Sequence, residues 1–479
     1  MKRCWIAVFL LLCVPVSRAI NDPGEFDFGP IASRYRDVNG DMRLRALGPF
    51  FERAVSTNDA RLWAVRPLYS TVKDPVSQRR SSEYLWPIAT TKQFKKEHSV
   101  RVLLTYYTKF DVTDPKSRYR FWMLPIYFQG RDVNKKGYAA VFPLGGTIHE
   151  ILGRDRVMFV LFPLYARSAI NQVHTTDVLW PIYSRSEGKG IYRFRVFPFY
   201  GRTKHRDKFD KKFVLWPFWT SARYYYPNSS GKGYILFPLW GHVKLTDQEA
   251  WMVVPPLIRF SRGERMNYTY CPWPFFQKSK GETEKLYFWP IWGQKRMPGV
   301  RSTFFLWPIF KKDRIDRGDE LVRRFVAMPF VQTEKRTRRS SQKGEKLQVV
   351  GRYSKIWPLW SYQRDGDSRR FRCVELWPLR NSGPVERSWA PLWTLYSRTA
   401  VGDALDHELL WGLYRFQRRG DAECRMSIFP FLYWQRDDRE RAEREWSILH
   451  GLIGYRREGT QKSLRVLYFM RFGGKETKP

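Results

Sequence analysis

The chain contains 479 residues, of which 85 are Lys or Arg and 46 are Asp or Glu, so its formal net charge is +39. Beyond the first twenty residues no stretch approaches about 18 uncharged apolar residues, which excludes transmembrane helices from the mature chain. The charge predicts a polyanionic partner such as lipid phosphate, lipopolysaccharide or an acidic glycan, and we do not expect nucleic acid in vivo. Alternatively, the charge only keeps an aromatic-rich chain soluble.

The N-terminus has the pattern of a secretory signal peptide. Lys2 and Arg3 form a basic region, residues 4–16 form an apolar region, and Ser17-Arg18-Ala19 offers small residues around a cleavage site. We expect residues 1–19 to be removed and the protein to be exported, to the outer membrane or the periplasm. An uncleaved N-terminal anchor is the alternative.

The rest of the chain divides by composition. Residues 20–60 contain Asp22-Pro23-Gly24 and an acidic patch, and are predicted to form an N-terminal extension. Residues 61–472 are predicted to form a single β-repeat domain, and residues 473–479 a tail.

A short signature recurs through the β-repeat domain: two apolar residues, Pro, an aliphatic residue or Phe, and then often an aromatic residue. From Pro163 to Pro329 the prolines of successive signature copies follow one another at intervals of 16 to 21 residues for nine steps. A Pro-rich chain without repeats would not hold such an interval. Copies of the signature include Leu179-Trp180-Pro181-Ile182-Tyr183, Leu215-Trp216-Pro217-Phe218-Trp219 and Leu306-Trp307-Pro308-Ile309-Phe310.

Polar segments such as residues 186–190 and 364–367 separate the signatures and predict hairpin turns. Each unit would then hold one strand of about 10–13 residues, and neighbouring strands would pair antiparallel. We therefore predict an all-β fold: an antiparallel meander of roughly twenty strand units, closed into a barrel-like or propeller-like array. The proline removes a hydrogen-bond donor from the strand, so it predicts a repeated bend or bulge at which each strand either changes direction or starts again.

The distribution of apolar and basic residues predicts strands with an apolar centre and basic ends. Residues 213–219 are apolar around Pro217, while Lys211, Lys212, Arg193 and Arg195 lie toward strand ends. The stretch 463–472 alternates apolar and polar residues and predicts one strand. In a bilayer the apolar centres would form a belt between two headgroup layers.

Six basic residues are candidate contacts to an anionic partner. Lys335, Arg336, Arg338 and Arg339 lie in the segment 334–346, which is predicted to be a long exposed loop. The other two, Arg193 and Arg195, lie on a predicted strand.

No motif predicts catalytic, cofactor-binding or metal-binding residues. The seven His do not have metal-ligand spacing, and we interpret Asp406-His407-Glu408, the densest titratable cluster, as a solvated turn. Cys271, Cys373 and Cys424 are widely spaced, so we expect isolated thiols with at most one disulfide. We expect a protein that is not an enzyme and has no cofactor.

The chain resembles a group of uncharacterised bacterial exported envelope proteins with serial Trp/Phe-Pro-Leu/Ile-Tyr/Trp repeats. The resemblance is carried by Gly48-Pro49-Phe50-Phe51-Glu52, by Arg66-Pro67-Leu68-Tyr69-Ser70, by the serial repeats and by the closing segment 449–455. It implies an exported repeat protein of a double-membraned bacterium, and it implies no activity.

Two hypotheses follow from the sequence. The first is a non-enzymatic envelope protein, inserted into or associated with the outer membrane, whose basic flanks contact lipid phosphate or lipopolysaccharide. The second is a soluble periplasmic or surface scaffold that is propeller-like and binds an anionic polymer. Outward residues at the strand midpoints should be apolar in the first case and polar in the second.

Overall fold

A computed structural model of the chain describes residues 25–339, 348–438 and 442–473. The predicted signal peptide, residues 1–19, lies outside the described residues. The fold is an antiparallel meander of 46 strands with two short helices, so the prediction of an all-β meander is confirmed. Among the described residues, no pairing between the first and last strands closes the sheet.

The first half of the meander contains 23 strands with these bounds: β1 Phe26–Phe28, β2 Ala32–Arg36, β3 Met42–Ala46, β4 Phe51–Val55, β5 Arg61–Val65, β6 Tyr69–Asp74, β7 Arg79–Tyr84, β8 Ala89–Phe94, β9 Glu97–Val102, β10 Thr105–Lys109, β11 Tyr119–Met123, β12 Tyr127–Arg131, β13 Gly137–Val141, β14 Gly145–Ile151, β15 Arg154–Val160, β16 Tyr165–Ile170, β17 Val173–Val178, β18 Tyr183–Gly188, β19 Ile191–Val196, β20 Tyr200–His205, β21 Phe209–Val214, β22 Trp219–Tyr226 and β23 Ser229–Leu236.

The second half has these bounds: β24 Trp240–Leu245, β25 Gln248–Val253, β26 Ile258–Gly263, β27 Met266–Tyr270, β28 Phe276–Gly281, β29 Glu284–Phe288, β30 Trp292–Met297, β31 Val300–Phe305, β32 Phe310–Asp316, β33 Glu320–Ala327, β34 Val331–Arg338, β35 Gln348–Ile356, β36 Trp360–Asp365, β37 Ser368–Cys373, α1 Gly383–Ser388, α2 Ala390–Trp393, β38 Tyr396–Val401, β39 Ala404–Leu409, β40 Tyr414–Arg419, β41 Glu423–Ile428, β42 Leu432–Asp437, β43 Glu443–Ile448, β44 Ile453–Glu458, β45 Gln461–Val466 and β46 Met470–Phe472.

The chain forms two compact units. Unit 1 combines residues 1–90 with residues 349–479, and unit 2 contains residues 91–348. Strands β1–β7 and almost all of β35–β46 therefore belong to unit 1, and β9–β34 belong to unit 2. Consecutive strands pair antiparallel from β1 to β7, from β9 to β34 and from β35 to β46.

Each sequence repeat is a hairpin of two short strands, so the prediction of one strand of about 10–13 residues per unit is wrong. Between Pro163 and Pro181 lie β16, a two-residue turn and β17, and most strands of the chain contain only five or six residues. The intervening turn, Asn171-Gln172, has positive φ at both residues, as the primed turns of tight hairpins require. This turn contains neither Gly nor Pro, so the sequence did not predict it.

The prolines lie in the turns at the opposite ends of the hairpins and not within strands. In the turn around Pro181, the N–H of Ile182 donates to the carbonyl of Leu179 at 2.7 Å. The N–H of Trp180 donates to the carbonyl of Pro163 in the preceding turn at 2.8 Å, so neighbouring turns are hydrogen-bonded to each other. The peptide bonds preceding these prolines are cis. The repeated proline therefore marks a turn at which the chain changes direction and a new strand starts, and not a bulge within a paired strand, because a turn position needs no ladder donor.

One face of the sheet in unit 2 consists largely of small residues. In β16, Ala166 and Ser168 are buried on this face, which we call the small-residue face, while Arg167 is exposed on the other. Small size is required locally, because a Cβ added to Gly201 would lie 2.1 Å from the ring of its cross-strand neighbour Phe213.

Unit 2 also contains a cluster of buried apolar residues: Phe128, Tyr138, Ala140, Ile148, Phe159 and Ala166.

In unit 1 the connection between the paired strands β37 and β38 is a long insertion that contains α1 and α2. Helix α1 packs on β5 and β6, where the Arg66 guanidinium donates to the carbonyl of Arg387 at 2.6 Å. The hydroxyls of Ser70 and Ser388 are hydrogen-bonded at 2.8 Å. This insertion brings the N-terminal strands of unit 1 into contact with its C-terminal part.

Candidate functional site

The face opposite the small-residue face is graded from apolar to charged across β20–β25 in unit 2. Because side chains alternate along a strand, every second residue lies on this face, and cross-strand pairing aligns these residues into three rows. We call this surface the graded face. Its apolar row lies beside the proline turns and contains Tyr200, Val214, Trp219, Leu236, Trp240 and Val253.

The middle row mixes aromatic and polar side chains: Arg202, Lys212, Ser221, Tyr234, His242 and Trp251. The charged row lies beside the polar turns and contains Lys204, Asp210, Arg223, Lys232, Lys244 and Glu249. At about 3.3 Å per residue, the charged row lies roughly 13 Å from the apolar row along each strand.

The gradient continues past the apolar row into the proline turns, whose large apolar side chains are exposed. Trp180, Trp216 and Trp307 are 50%, 51% and 52% exposed, and the turn residues that follow each proline are similarly open. We call the exposed apolar residues of the proline turns in unit 2 the proline-turn ridge. Further members include Leu164, Leu179, Ile182, Phe199, Leu215, Phe218, Leu239, Leu257, Phe275, Ile291, Leu306 and Ile309.

Most cations of the middle and charged rows have no counter-ion. Arg202 is an exception, since its guanidinium binds both oxygens of Asp210, at 3.1 and 2.6 Å, and these hydrogen bonds hold the pKa of Asp210 below its usual value. Within the described part of the chain, the remaining five cations form no ion pair or side-chain hydrogen bond: Lys204, Lys212, Arg223, Lys232 and Lys244.

The predicted anion contacts lie elsewhere. Arg193 and Arg195 share the small-residue face of β19, opposite Ser186 and Ser184. Sequence analysis had no means of assigning that face.

The segment that begins at Glu334 was predicted to be an exposed loop, and this prediction is wrong as far as Arg338. Lys335, Arg336 and Arg338 lie on β34, and Arg339 directly follows it. Two of these cations have counter-ions: Arg339 pairs with Asp316 at 2.6 Å, and Arg336 lies 4.0 Å from Glu334. The structure thus brings the predicted contacts onto two strands and does not gather them into one patch.

The Asp406-His407-Glu408 cluster is not a solvated turn, contrary to the sequence-based interpretation. It lies on β39 and lines a cavity of about 160 Å³ in unit 1. Glu408 binds the Arg45 guanidinium at 2.6 Å, and His407 is hydrogen-bonded through Nδ1 to the hydroxyl of Tyr396 at 2.7 Å. The sequence could not show this, because Arg45, which binds Glu408, lies 363 residues earlier in the chain.

Arginines and carboxylates neutralise one another around this cavity. Arg43 binds Asp37 at 2.7 Å and Glu52 at 2.8 Å, and Glu52 also accepts a hydrogen bond from Arg66. Burial favours the neutral form of Glu52, but Arg45, Arg66 and Arg43 outweigh it and hold the pKa of that carboxyl well below its usual value. We therefore interpret the network as a charged core that joins the two parts of unit 1.

Acid should destabilise unit 1 selectively. Glu52, Glu386 and Glu408 are each subject to burial, which raises a carboxyl pKa, but neighbouring arginines lower the pKa of all three below the usual 4.5. The stability they contribute is present above pH 4.5 and is lost as the pH falls toward their folded-state pKa values. Asp406 and Glu445, whose pKa burial raises, oppose part of this effect.

The expected result is a lower urea midpoint for unit 1 at about pH 3.5 than at about pH 7, with a smaller change in unit 2. Hydrogen exchange after urea pulses would resolve the two units. An equal fall in both units would contradict the assignment to this network.

Within residues 25–339, 348–438 and 442–473, no group of three or more His, Cys, Asp or Glu side chains is placed to hold a metal ion. Cys271, Cys373 and Cys424 carry free thiols. None of the helices in the described part of the chain is long and apolar enough to cross a membrane. Comparison with protein-family models gives no match to this chain, and no curated protein matches it.

Proposed function

We propose that this protein is a non-enzymatic β-repeat protein of the cell envelope that binds the surface of a membrane. The proline-turn ridge would enter the apolar layer of one leaflet, and the cations of the graded face would lie among the lipid phosphates. The observation that carries this proposal is the gradient itself: exposed Trp and Leu at one end of the strands, and uncompensated Lys and Arg at the other.

The ridge supports membrane contact because an exposed apolar surface of this extent normally has a partner. Here the proline turns of successive hairpins expose large apolar side chains one after another, which is more than the scattered exposed apolar residues of an ordinary soluble surface. Trp and Tyr are also the residues preferred where hydrocarbon meets headgroups, which is where the middle row would lie.

The strand length supports association with one leaflet. A strand that crosses a bilayer needs about 9–11 residues, and the expectation of 10–13 residues per strand came from treating each hairpin as one strand. Five or six residues extend about 20 Å at most, which matches one leaflet with its headgroups. Of the two forms in the sequence-based hypothesis, inserted or associated, the geometry therefore favours association.

Vesicle flotation with the mature chain tests the proposal. We expect the protein to float with vesicles that contain phosphatidylglycerol. Carbonate should not release all of the bound protein, because the ridge is held by apolar contacts. Absence of flotation with both anionic and zwitterionic vesicles would overturn the proposal. Fractionation of the native envelope would test the export and location that the signal pattern predicts.

Binding should weaken as salt rises, without being abolished. The five unpaired cations of the graded face each contribute on the order of 1 kcal/mol near an anionic surface, and this contribution is screened as the Debye length falls from about 10 Å at 0.1 M salt to about 3 Å at 1 M. We expect the partition coefficient to fall by about tenfold or more over that range. A salt-independent coefficient would show that the cations do not face the lipid.

A second candidate function is a scaffold that binds an anionic polymer, and the charged row favours it. Arg223, Lys232 and Lys244 follow one another on consecutive strands, a spacing that suits a repeating polyanion. Binding of polyphosphate together with no vesicle binding would favour this candidate over the first.

A further inference from the structure

We infer that a groove on the graded face is a binding site for a phosphorylated sugar. The groove has a volume of about 500 Å³ and is lined by residues of β20–β24, among them Trp219, Tyr234, Lys212, Lys232 and Lys244. This volume lies within the range of small-molecule sites, about 300–1,000 Å³, and exceeds what a lone phosphate ion needs. If the sugar belongs to a lipid headgroup, the inference rests on the proposed membrane binding; if the sugar phosphate is soluble, it does not.

The arrangement of cations is the first argument. Arg223 lies directly opposite Lys232 on the neighbouring strand, and Lys232 lies directly opposite Lys244 on the next. Side chains in such positions have Cβ atoms about 4.5–5.5 Å apart, and like charges there destabilise a sheet. Asp210 and Glu249 lie opposite Arg223 and Lys244 at the two ends of this run, but they are bound to Arg202 and His242. Among the described residues none of the three cations therefore forms an ion pair, and a bound anion would offset their repulsion.

The other end of the groove is aromatic. The rings of Trp219 and Tyr234 stack at a centroid distance of 5.6 Å with an interplanar angle of 19°, and both rings remain more than one third exposed. Such a flat, partly exposed surface suits the apolar face of a sugar ring, while the cations about 7–13 Å farther along the strands suit its phosphate.

The orientation of the groove agrees with the membrane proposal. Its aromatic end lies toward the proline-turn ridge, and its cationic end lies toward the polar turns. A lipid with a phosphorylated sugar headgroup could place its acyl chains along the ridge and its phosphate beside Lys232. A soluble sugar phosphate has the same recognition chemistry without the chains.

Calorimetry with glucose 1-phosphate, glucose and inorganic phosphate tests the groove. We expect the mature chain to bind glucose 1-phosphate more tightly than either of the other two probes. The double variant Lys232→Gln/Lys244→Gln should weaken this binding about tenfold or more. The variant Trp219→Ala should weaken the binding of glucose 1-phosphate but not the binding of inorganic phosphate. No binding of glucose 1-phosphate at millimolar concentration would overturn the inference.

Lys280→Gln/Lys312→Gln is the matched control, because both are exposed strand lysines of unit 2 without an ion pair among the described residues and the variant removes the same two charges. It should leave binding unchanged, and an equal loss in this variant would mean that only net charge matters. The Lys232→Gln/Lys244→Gln variant should fold, since it removes like-charge repulsion; its melting temperature without ligand should equal or exceed that of the unchanged chain.

Vesicles separate this inference from the proposed function and separate the two sources of the sugar. Phosphatidylglycerol vesicles carry no sugar, so the Trp219→Ala chain should still float with them if the ridge binds lipid. Adding a phosphorylated disaccharide lipid should increase flotation of the unchanged chain more than that of Trp219→Ala if the ligand is a headgroup. Tight calorimetric binding of glucose 1-phosphate without this increase would identify a soluble ligand.

Discussion

Replacing Trp180, Trp216 and Trp307 together by Asp should reduce binding to anionic vesicles by about 100-fold or more. Each indole is about half exposed in a proline turn and packs against one ring of the preceding turn, that of Phe162, Phe197 or Trp289, so its removal costs the sheet this ring contact. In the membrane the same indoles would be buried, and each would contribute on the order of 1.5–3 kcal/mol to the free energy of binding. The Asp carboxylates would lose this contribution and would in addition be unfavourable to insert into the apolar layer. The measurement is the vesicle partition coefficient, with far-ultraviolet circular dichroism as the check on folding.

The opposite ends of the hairpins provide the control. Tyr192, Tyr225 and Tyr226 are also exposed, but they lie beside the polar turns. Replacing these three residues by Asp adds the same charge and removes a similar aromatic area, yet we expect vesicle binding to change by less than about threefold. If both triple variants lost binding equally, the ridge would not be the contacting edge.

The second large effect concerns the charged core of unit 1. Glu52→Gln should lower the free energy of unfolding of this unit by about 3–5 kcal/mol. The carboxylate is only 2% exposed and binds Arg43 and Arg66. A neutral amide would leave the buried Arg66 guanidinium without the carboxylate it binds, while Arg43 would keep Asp37. Urea unfolding followed by hydrogen exchange in β3–β5 would measure the loss.

An exposed ion pair gives the comparison for this prediction. Glu187 pairs with Arg185 at 2.6 Å, but both side chains are about half exposed. Glu187→Gln should therefore change the free energy of unfolding by less than about 1 kcal/mol. A loss for Glu52→Gln as small as this would show that the network does not hold the two parts of unit 1 together.

The proline signature and its interval predicted the repeat and its antiparallel connectivity, because both depend on local features. The strand length was mispredicted because a two-residue turn needs neither Gly nor Pro: Asn171-Gln172 interrupts what otherwise resembles one long strand. The same error occurred at 463–472, where β45 ends at Val466 and β46 begins at Met470. Alternation alone cannot distinguish a strand from a strand followed by a turn.

The candidate site was less accessible from the sequence. The sequence predicted long strands with an apolar centre and basic ends. Because the proline turn divides each of these stretches into two strands, each real strand has one apolar end, beside the proline turn, and one basic end. The groove depends on register, since Lys232 faces Lys244 only because the intervening turn aligns β23 with β24. The charged core depends on contacts over hundreds of residues, such as Arg45 with Glu408, which no local pattern indicates.

Photo-crosslinking from the bilayer tests the central claim most directly. The mature chain would be bound to vesicles containing a lipid with a photoreactive group near the middle of its acyl chain, and the labelled residues mapped by mass spectrometry. We expect labels in the proline turns of unit 2, such as residues 215–218 and 306–309, and none in polar turns such as 206–208. Labels concentrated in the polar turns, or absent from vesicle-bound protein, would contradict the account.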